Sequence, residues 1–149
     1  MAAIHFKTLS LGRLLTLNLP ARDDAHCYIW TVNSMIEITY ALARAWGFRP
    51  TRMLYWIKQP MGIGLGGTFA GCVEPILFCT RGSLPAKRRV DRNWWLWKRR
   101  PHCAKPEAFQ DLVETVSPGP YLEVFARRKR PGWSVWGNEV EPEALIPPL

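Results

Sequence analysis

Apolar residues occur in short runs separated by turns rich in proline and glycine, and the spacing within each run indicates its structure. Short runs that are rich in β-branched and aromatic side chains are typical of buried strands. They predict four strands and a fifth, shorter one near the carboxyl end: residues 27–32, 52–58, 74–80, 121–126 and 133–140.

Other stretches repeat their apolar residues at helical spacing. The clearest of them follows Ser34 and Glu37, whose separation is that of a capping box, and ends at Gly47. Helical spacing predicts three helices in all, within residues 8–19, over residues 35–46, and from Pro106 to the turn at residues 117–120.

The order strand, helix, strand and later helix, strand indicates an α/β sheet with crossover helices. Sheets of this type bind ligands beyond the carboxyl ends of their strands. This rule predicts that Asn33, residues 59–71 and residues 127–130 lie near one another at one rim.

Two segments between the predicted strands have unusual composition. Residues 59–71 contain five glycines, but they lack both the G-x-G-x-x-G order of dinucleotide-binding loops and the G-K-[ST] of phosphate-binding loops. We therefore interpret them as a lid or a connection. Residues 83–104, which are basic and contain three tryptophans, are predicted to be the least regular part of the chain.

The formal net charge is +8 and the sequence pI is about 9.7, which favours a polyanionic partner such as DNA or RNA. A well-solvated basic surface is the alternative explanation. Clustering of the cations around aromatic residues favours nucleic acid. The main clusters are residues 87–89, Arg92, residues 98–100 and residues 127–130.

Several functional classes have little support. No apolar run reaches the ~18 residues of a membrane span, and residues 1–11 lack the apolar core of a secretory signal. We therefore expect a cytoplasmic protein without a membrane partner. The four cysteines fit no zinc module, which predicts reduced thiols and no metal site: Cys27, Cys72, Cys79 and Cys103.

Few residues suggest catalysis by themselves. His5 and His26 are predicted to be surface residues, and no Ser/His/Asp or Cys/His grouping supports nucleophilic hydrolysis. Asn138 and Glu139 lie side by side after the last predicted strand, where they could bind a ribose diol or an adenine edge. A structural turn explains this pair equally well.

A series of short motifs resembles the carboxyl-terminal signature of the MT-A70 family of adenine methyltransferases. Their order and spacing match as well as their composition, and the resemblance covers most of residues 5–140. The most specific motifs are residues 105–107 (KPE), 117–119 (SPG), 122–127 (LEVFAR), 130–133 (RPGW) and 136–139 (WGNE). Shorter matches are residues 5–10 (HFKTLS), 23–26 (DDAH), 45–48 (AWGF), 56–58 (WIK), 74–75 (EP) and 80–82 (TRG).

The resemblance implies transfer of a methyl group from S-adenosylmethionine to the exocyclic amine of adenine in DNA or RNA, on a Rossmann-like sheet. The family's catalytic motif, Asp-Pro-Pro-Trp, does not occur in this sequence. By alignment with the family it is expected upstream of Met1, together with the strand before it. The expectation is a single truncated methyltransferase-type domain over residues 1–149, with a sheet incomplete at its amino-terminal end and an irregular tail at residues 141–149. No catalytic residue is assigned.

The resemblance also implies which residues bind the methyl donor. Lys105 should approach the methionine carboxylate, and Arg127, Asn138 and Glu139 should hold the ribose and adenine. His102 matches the histidine that precedes this lysine in the family, although Cys103 stands where the family commonly has serine.

Two hypotheses follow. The chain is an adenine methyltransferase, or it is a catalytically dead fragment or nucleic-acid-binding partner subunit of such an enzyme. Loss of the first strands of a sheet would expose an edge and apolar surface. We therefore expect the chain to aggregate, to dimerise or to need a second subunit.

Overall fold

The computed structural model describes residues 10–60, 67–101 and 104–136. A short helix precedes the first strand, and strands and helices then follow in mixed order. The elements are α1 (Leu11–Leu15), β1 (Ala25–Trp30), a 3-10 turn (Asn33–Met35), α2 (Ile36–Ala45), β2 (Arg49–Gln59), β3 (Val73–Arg81), β4 (Trp94–Lys98), α3 (Glu107–Val116), β5 (Tyr121–Val124) and β6 (Trp133–Trp136).

Four strands form a mixed sheet in the order β1-β3-β2-β4. The strands β1 and β2 are each antiparallel to β3, which lies between them, and β4 runs parallel to β2. The carboxyl ends of β1, β2 and β4 therefore share one edge with the amino end of β3, and we name it the carboxyl edge. Its terminal residues are Trp30, Gln59, Lys98 and Val73.

The centre of the sheet is covered on both faces. Ile76 and Leu77 are neighbours on β3 that point to opposite faces, and both are fully buried. On the first face, Phe109 of α3 makes edge contacts with Tyr28 and Trp30. The second face, which includes Leu77 and Cys79, packs against Ala43 of α2 and Phe48.

A separate pair of parallel strands, β5 and β6, follows α3. The rings of Tyr121 and Trp133 are register partners and stack with centroids 5.0 Å apart. Arg130 binds this pair to α3, since its guanidinium donates to Glu114 and Asp111, and Glu114 also accepts from the Trp133 indole.

The structure is mixed α/β, as predicted, and the elements match the predicted helices and five strands to within a few residues. The expected single sheet with crossover helices was wrong, because β3 lies antiparallel between β1 and β2 and β5 pairs with β6 in a separate sheet. Two local details were also wrong. The Ser34–Glu37 capping box does not form, because a 3-10 turn precedes α2 and no side chain caps its first turn. Residues 83–104 were expected to be the least regular segment, yet they contain β4. That strand is held by pairing with β2, a partner distant in sequence, which local patterns do not reveal.

His26 is not the surface residue that the sequence suggested. Its ring is half-buried, and Nε2 donates to the carbonyl of Leu84 at 2.9 Å, so in the neutral imidazole Nδ1 accepts from Ser117 Oγ at 2.7 Å. The Tyr28 hydroxyl donates in turn to Ser117 Oγ at 2.8 Å. Burial raises the pKa of Tyr28 to about 12, so it remains a donor. His26 therefore joins β1 to the end of α3.

Within the described residues, no helix is long and apolar enough to cross a membrane. The predicted tail at residues 141–149 lies outside the described residues.

Candidate functional site

Three charged side chains meet at the carboxyl edge, from three different parts of the chain. Lys58 lies near the end of β2, Glu74 near the start of β3, and Lys105 just before α3. Lys105 Nζ is 3.0 Å from Glu74 Oε1, and Lys58 Nζ is 3.6 Å from Oε2 of the same carboxylate. The three side chains are only 19%, 23% and 12% exposed for Lys105, Lys58 and Glu74, so water screens their interactions weakly.

Each of the two ammonium groups lies close to a tryptophan ring. Lys105 Nζ lies 4.7 Å from the centroid of Trp30, and Lys58 Nζ lies 5.4 Å from that of Trp56. The two indoles meet edge to face at 5.9 Å, and Trp56 Nε1 donates to the carbonyl of Trp97. Since a ring face attracts a cation, these contacts restrict where each ammonium can lie.

Among the described residues, two ammonium groups pair with this one carboxylate. The charges of these three side chains sum to about one positive charge, in a poorly hydrated position. An anion of matching size, such as a carboxylate or a phosphate, would neutralise it through charge-assisted hydrogen bonds. The site is therefore suited to bind the anionic part of a ligand.

A second group of ion pairs connects the Lys105 segment to the residues after β5. Arg100 donates to the carbonyl of Lys105 at 3.2 Å and lies 3.6 Å from Glu107. Arg128 Nη1 lies 3.5 Å from the same oxygen of Glu107. Through Glu107, the segment that carries Lys105 is linked to the turn that follows β5.

Through Gln110, that turn is also linked to Glu123, a half-buried acid on β5. Arg128 donates to Gln110 Oε1 at 2.7 Å, and Gln110 Nε2 donates to Glu123 Oε2 at 2.9 Å. Burial raises the pKa of Glu123 above its ordinary value, and the charges of Arg128 and Arg130 only partly oppose the shift. Glu123 thus lies in a poorly hydrated position, and its carboxylate accepts a hydrogen bond from the amide of Gln110.

The predicted donor-site residues have different outcomes. Lys105 lies at the carboxyl edge, as a ligand site in an α/β sheet requires. Arg127 is half-buried in the turn after β5, two residues beyond Phe125, whose φ of 61° marks the bend. His102, Asn138 and Glu139 lie outside the described residues. The roles of all five residues in binding the donor stay predictions.

The motifs in the sequence assign no role to Glu74, Lys58 or Trp30. The signals for Lys58 and Glu74 are weak, namely a lysine at the end of one apolar run and a glutamate at the start of the next. Of the predicted basic turn at residues 127–130, Arg128 and Arg130 pair with groups of α3. Among the described residues, no three His, Cys, Asp or Glu side chains group closely enough to hold a metal ion.

Comparison with known proteins gives consistent matches. A family model described as MT-A70 matches residues 2–139. The Type II methyltransferase M.MunI of Mycoplasma sp is 30% identical over 93% of this chain and 61% of its own length. An MT-A70-like protein of Medicago truncatula is 24% identical over 96% of this chain and 25% of its own length.

A third relative matches a shorter segment more closely. The human N(6)-adenine-specific methyltransferase METTL4 is 50% identical over 40 residues, which are 26% of this chain and 8% of METTL4. The chain thus spans less than two thirds of the length of each of these three relatives.

Proposed function

Because this chain belongs to the MT-A70 family, we propose that it serves in the transfer of a methyl group from S-adenosylmethionine to the exocyclic amine of adenine in DNA or RNA. Relatives that are methyltransferases, one of them named as specific for N6 of adenine, support the reaction. In this proposal the chain supplies the site for the methyl donor, on a Rossmann-like sheet.

The observation that carries the proposal is the environment of Lys105. The family resemblance assigns this lysine to the methionine carboxylate of the donor. Its ammonium lies at the carboxyl edge, fixed by Glu74 and by the ring of Trp30, with Lys58 adding a second positive charge. The surplus of positive charge fits a carboxylate ligand.

The remaining contacts of the donor are assigned by resemblance alone. Arg127, Asn138 and Glu139 would hold the ribose and adenine, and His102 would lie near Lys105. The ion pairs through Glu107 favour this arrangement, because they link the Lys105 segment to the turn that contains Arg127.

The donor supplies an electrophilic methyl group on a sulfonium, and the contribution of this chain is to bind and orient it. We assign no catalytic residue, since the 149 residues contain no Asp-Pro-Pro-Trp motif. The alternative function is a catalytically dead fragment or a nucleic-acid-binding partner subunit, acting as a dimer or with a second subunit. The net charge of +8 favours nucleic acid as a ligand under either function.

Calorimetric titration of S-adenosylmethionine into the purified chain tests the proposal. We expect Lys105→Ala and Asn138→Ala each to weaken binding at least about tenfold, because each would lose a hydrogen bond to a charged or buried group of the donor. Arg22→Ala is the matched control, since it removes one positive charge from an exposed turn. A folded chain that does not bind the donor would refute the proposal and leave the alternative.

A further inference from the structure

One face of the sheet carries large apolar side chains that are exposed to solvent. On β2 and β4, Tyr55, Trp94 and Leu96 are 38%, 44% and 49% exposed. The alternate residues Trp56 and Trp95 point to the opposite face, where they are buried with α3. Within the described residues, α2 packs further along the exposed face and leaves this part uncovered.

The two exposed aromatic residues are register partners. Tyr55 on β2 pairs with Trp94 on β4, and Ile57 pairs with Leu96 in the next rung. Paired residues of neighbouring strands project from the same face, and such strands lie about 4.8 Å apart. The two rings therefore form a small aromatic platform at the edge of the sheet.

Many positive charges lie close to Trp94 along the chain, both before and after it. Residues 87–100 contain seven lysines and arginines and one acid, Asp91, which pairs with Arg89. This segment thus accounts for a charge of +6 out of the chain's net +8. Arg92, Lys98 and Arg99 are exposed, although Arg99 Nε donates to the carbonyl of Pro60. The Arg92 guanidinium lies at the edge of the sheet, 5.9 Å from the ring centroid of Trp94 and 5.7 Å from that of Trp95.

We propose that this β4 platform, Tyr55 and Trp94 with Arg92, Lys98 and Arg99, binds single-stranded nucleic acid. Exposed rings on which bases stack, flanked by cations that contact phosphates, are the combination that single-strand binders use. Such binding tolerates many sequences because every base has a flat face.

The strand that carries Trp94 runs towards the proposed donor site. The strand β4 is about 16 Å long, at about 3.3 Å per residue, and it ends at the carboxyl edge. There Arg100, two residues after the strand, contacts the Lys105 carbonyl. A polynucleotide along β4 would be guided towards the proposed donor site. The inference rests on the proposed function only in regarding this polymer as the methyl acceptor.

Fluorescence anisotropy of a labelled single-stranded DNA of about 20 nucleotides, longer than the ~4–16 nucleotides that one single-strand-binding domain covers, tests the platform. The RNA of the same sequence is measured in parallel. Alanine substitution of a stacking residue typically weakens binding by about 5-fold to 150-fold, so we expect a loss in this range for Trp94→Ala and for Tyr55→Ala. We expect Trp94→Phe to retain most of the affinity.

Leu96→Ala is the matched control, because Leu96 is equally exposed on the same strand and face but cannot stack. It should change the affinity by less than about twofold. The double substitution Lys98→Gln with Arg99→Gln should make the slope of log K against log salt concentration less steep by about 1.4. This corresponds to about 0.7 for each phosphate contact that is lost. Binding of S-adenosylmethionine, measured in the same variants, should not change.

Two outcomes would overturn the inference. One is oligonucleotide binding that Trp94→Ala and Tyr55→Ala leave unchanged. The other is an equal loss of a dimer, seen by light scattering, in Trp94→Ala and Leu96→Ala, which would identify the face as a protein contact. Failure of the unmodified chain to bind the donor would refute only the proposed function, since oligonucleotide binding is measured separately. Circular dichroism melts of each variant verify that the fold is retained.

Discussion

Glu74 pairs with two lysines at the carboxyl edge, so substitutions of Glu74 and of Lys105 should lower the stability of the chain by different amounts. Replacing Glu74 with glutamine leaves the ammonium groups of Lys58 and Lys105 facing each other without the carboxylate. Replacing Lys105 with methionine keeps a side chain of similar length but removes the ammonium group that lies over Trp30, and it leaves Glu74 still paired with Lys58. Glu74→Gln should therefore cost more stability than Lys105→Met.

The burial of Lys58, Glu74 and Lys105 determines how large the loss in stability should be. Removing one member of a fully buried ion pair costs about 3–5 kcal/mol, because an uncompensated charge remains. The side chains of this cluster are 12–23% exposed, so water reaches them more than it reaches a fully buried pair. We therefore expect Glu74→Gln to lower the free energy of unfolding by about 2–4 kcal/mol. For Lys105→Met we expect about 1–2 kcal/mol, at or below the ~1.5–3 kcal/mol of a hydrogen bond to a charged group, because Glu74 keeps its contact with Lys58.

Urea unfolding followed by far-ultraviolet circular dichroism measures both losses. With an m value of about 2 kcal/mol per molar urea, Glu74→Gln should lower the midpoint by roughly 1–2 M. The double variant completes a thermodynamic cycle, in which contacting groups should couple by about 1 kcal/mol or more. A cost for Lys105→Met equal to that of Glu74→Gln, or a coupling near zero, would show that the carboxylate does not hold both lysines.

Two further substitutions test other parts of the fold. Gly82 has a φ of +65°, and a Cβ there would collide with Asp24, so Gly82→Ala should cost about 1–3 kcal/mol in a thermal melt. Gly132→Ala has a similar φ of +83° and open space, so it is the matched control; an equal cost at both positions would rule out the collision as the cause. Burial raises the pKa of Glu123, so the charged form of this side chain is less favourable in the folded chain than in the unfolded chain. The free energy of unfolding therefore increases as the pH falls through that pKa. Glu123→Gln should therefore stabilise the chain at neutral pH and have little effect in acid, whereas a loss of stability at pH 7 would mean that the charged form is needed.

Short-range patterns in the sequence were sufficient for most elements of the fold. The helical spacing in α2 and α3 and the apolar runs of β1, β2, β3 and β5 reflect local backbone preference and one-sided burial. Lys105 and Arg127 were assigned from family motifs that are contiguous in sequence. Their relation to the strand ends follows from the order of the elements.

The tertiary structure decided what depends on partners distant along the chain. The strand β4 exists because it pairs with β2 some forty residues earlier, and the antiparallel insertion of β3 between β1 and β2 has no local signal. Glu74 became part of the site because folding brings it to Lys105, 31 residues away. His26 became an internal link because Ser117, 91 residues away, lies against it. A single sequence records which side chains are available, whereas their pairing depends on long-range burial and hydrogen bonding, which form only when the sheet and its helices pack together.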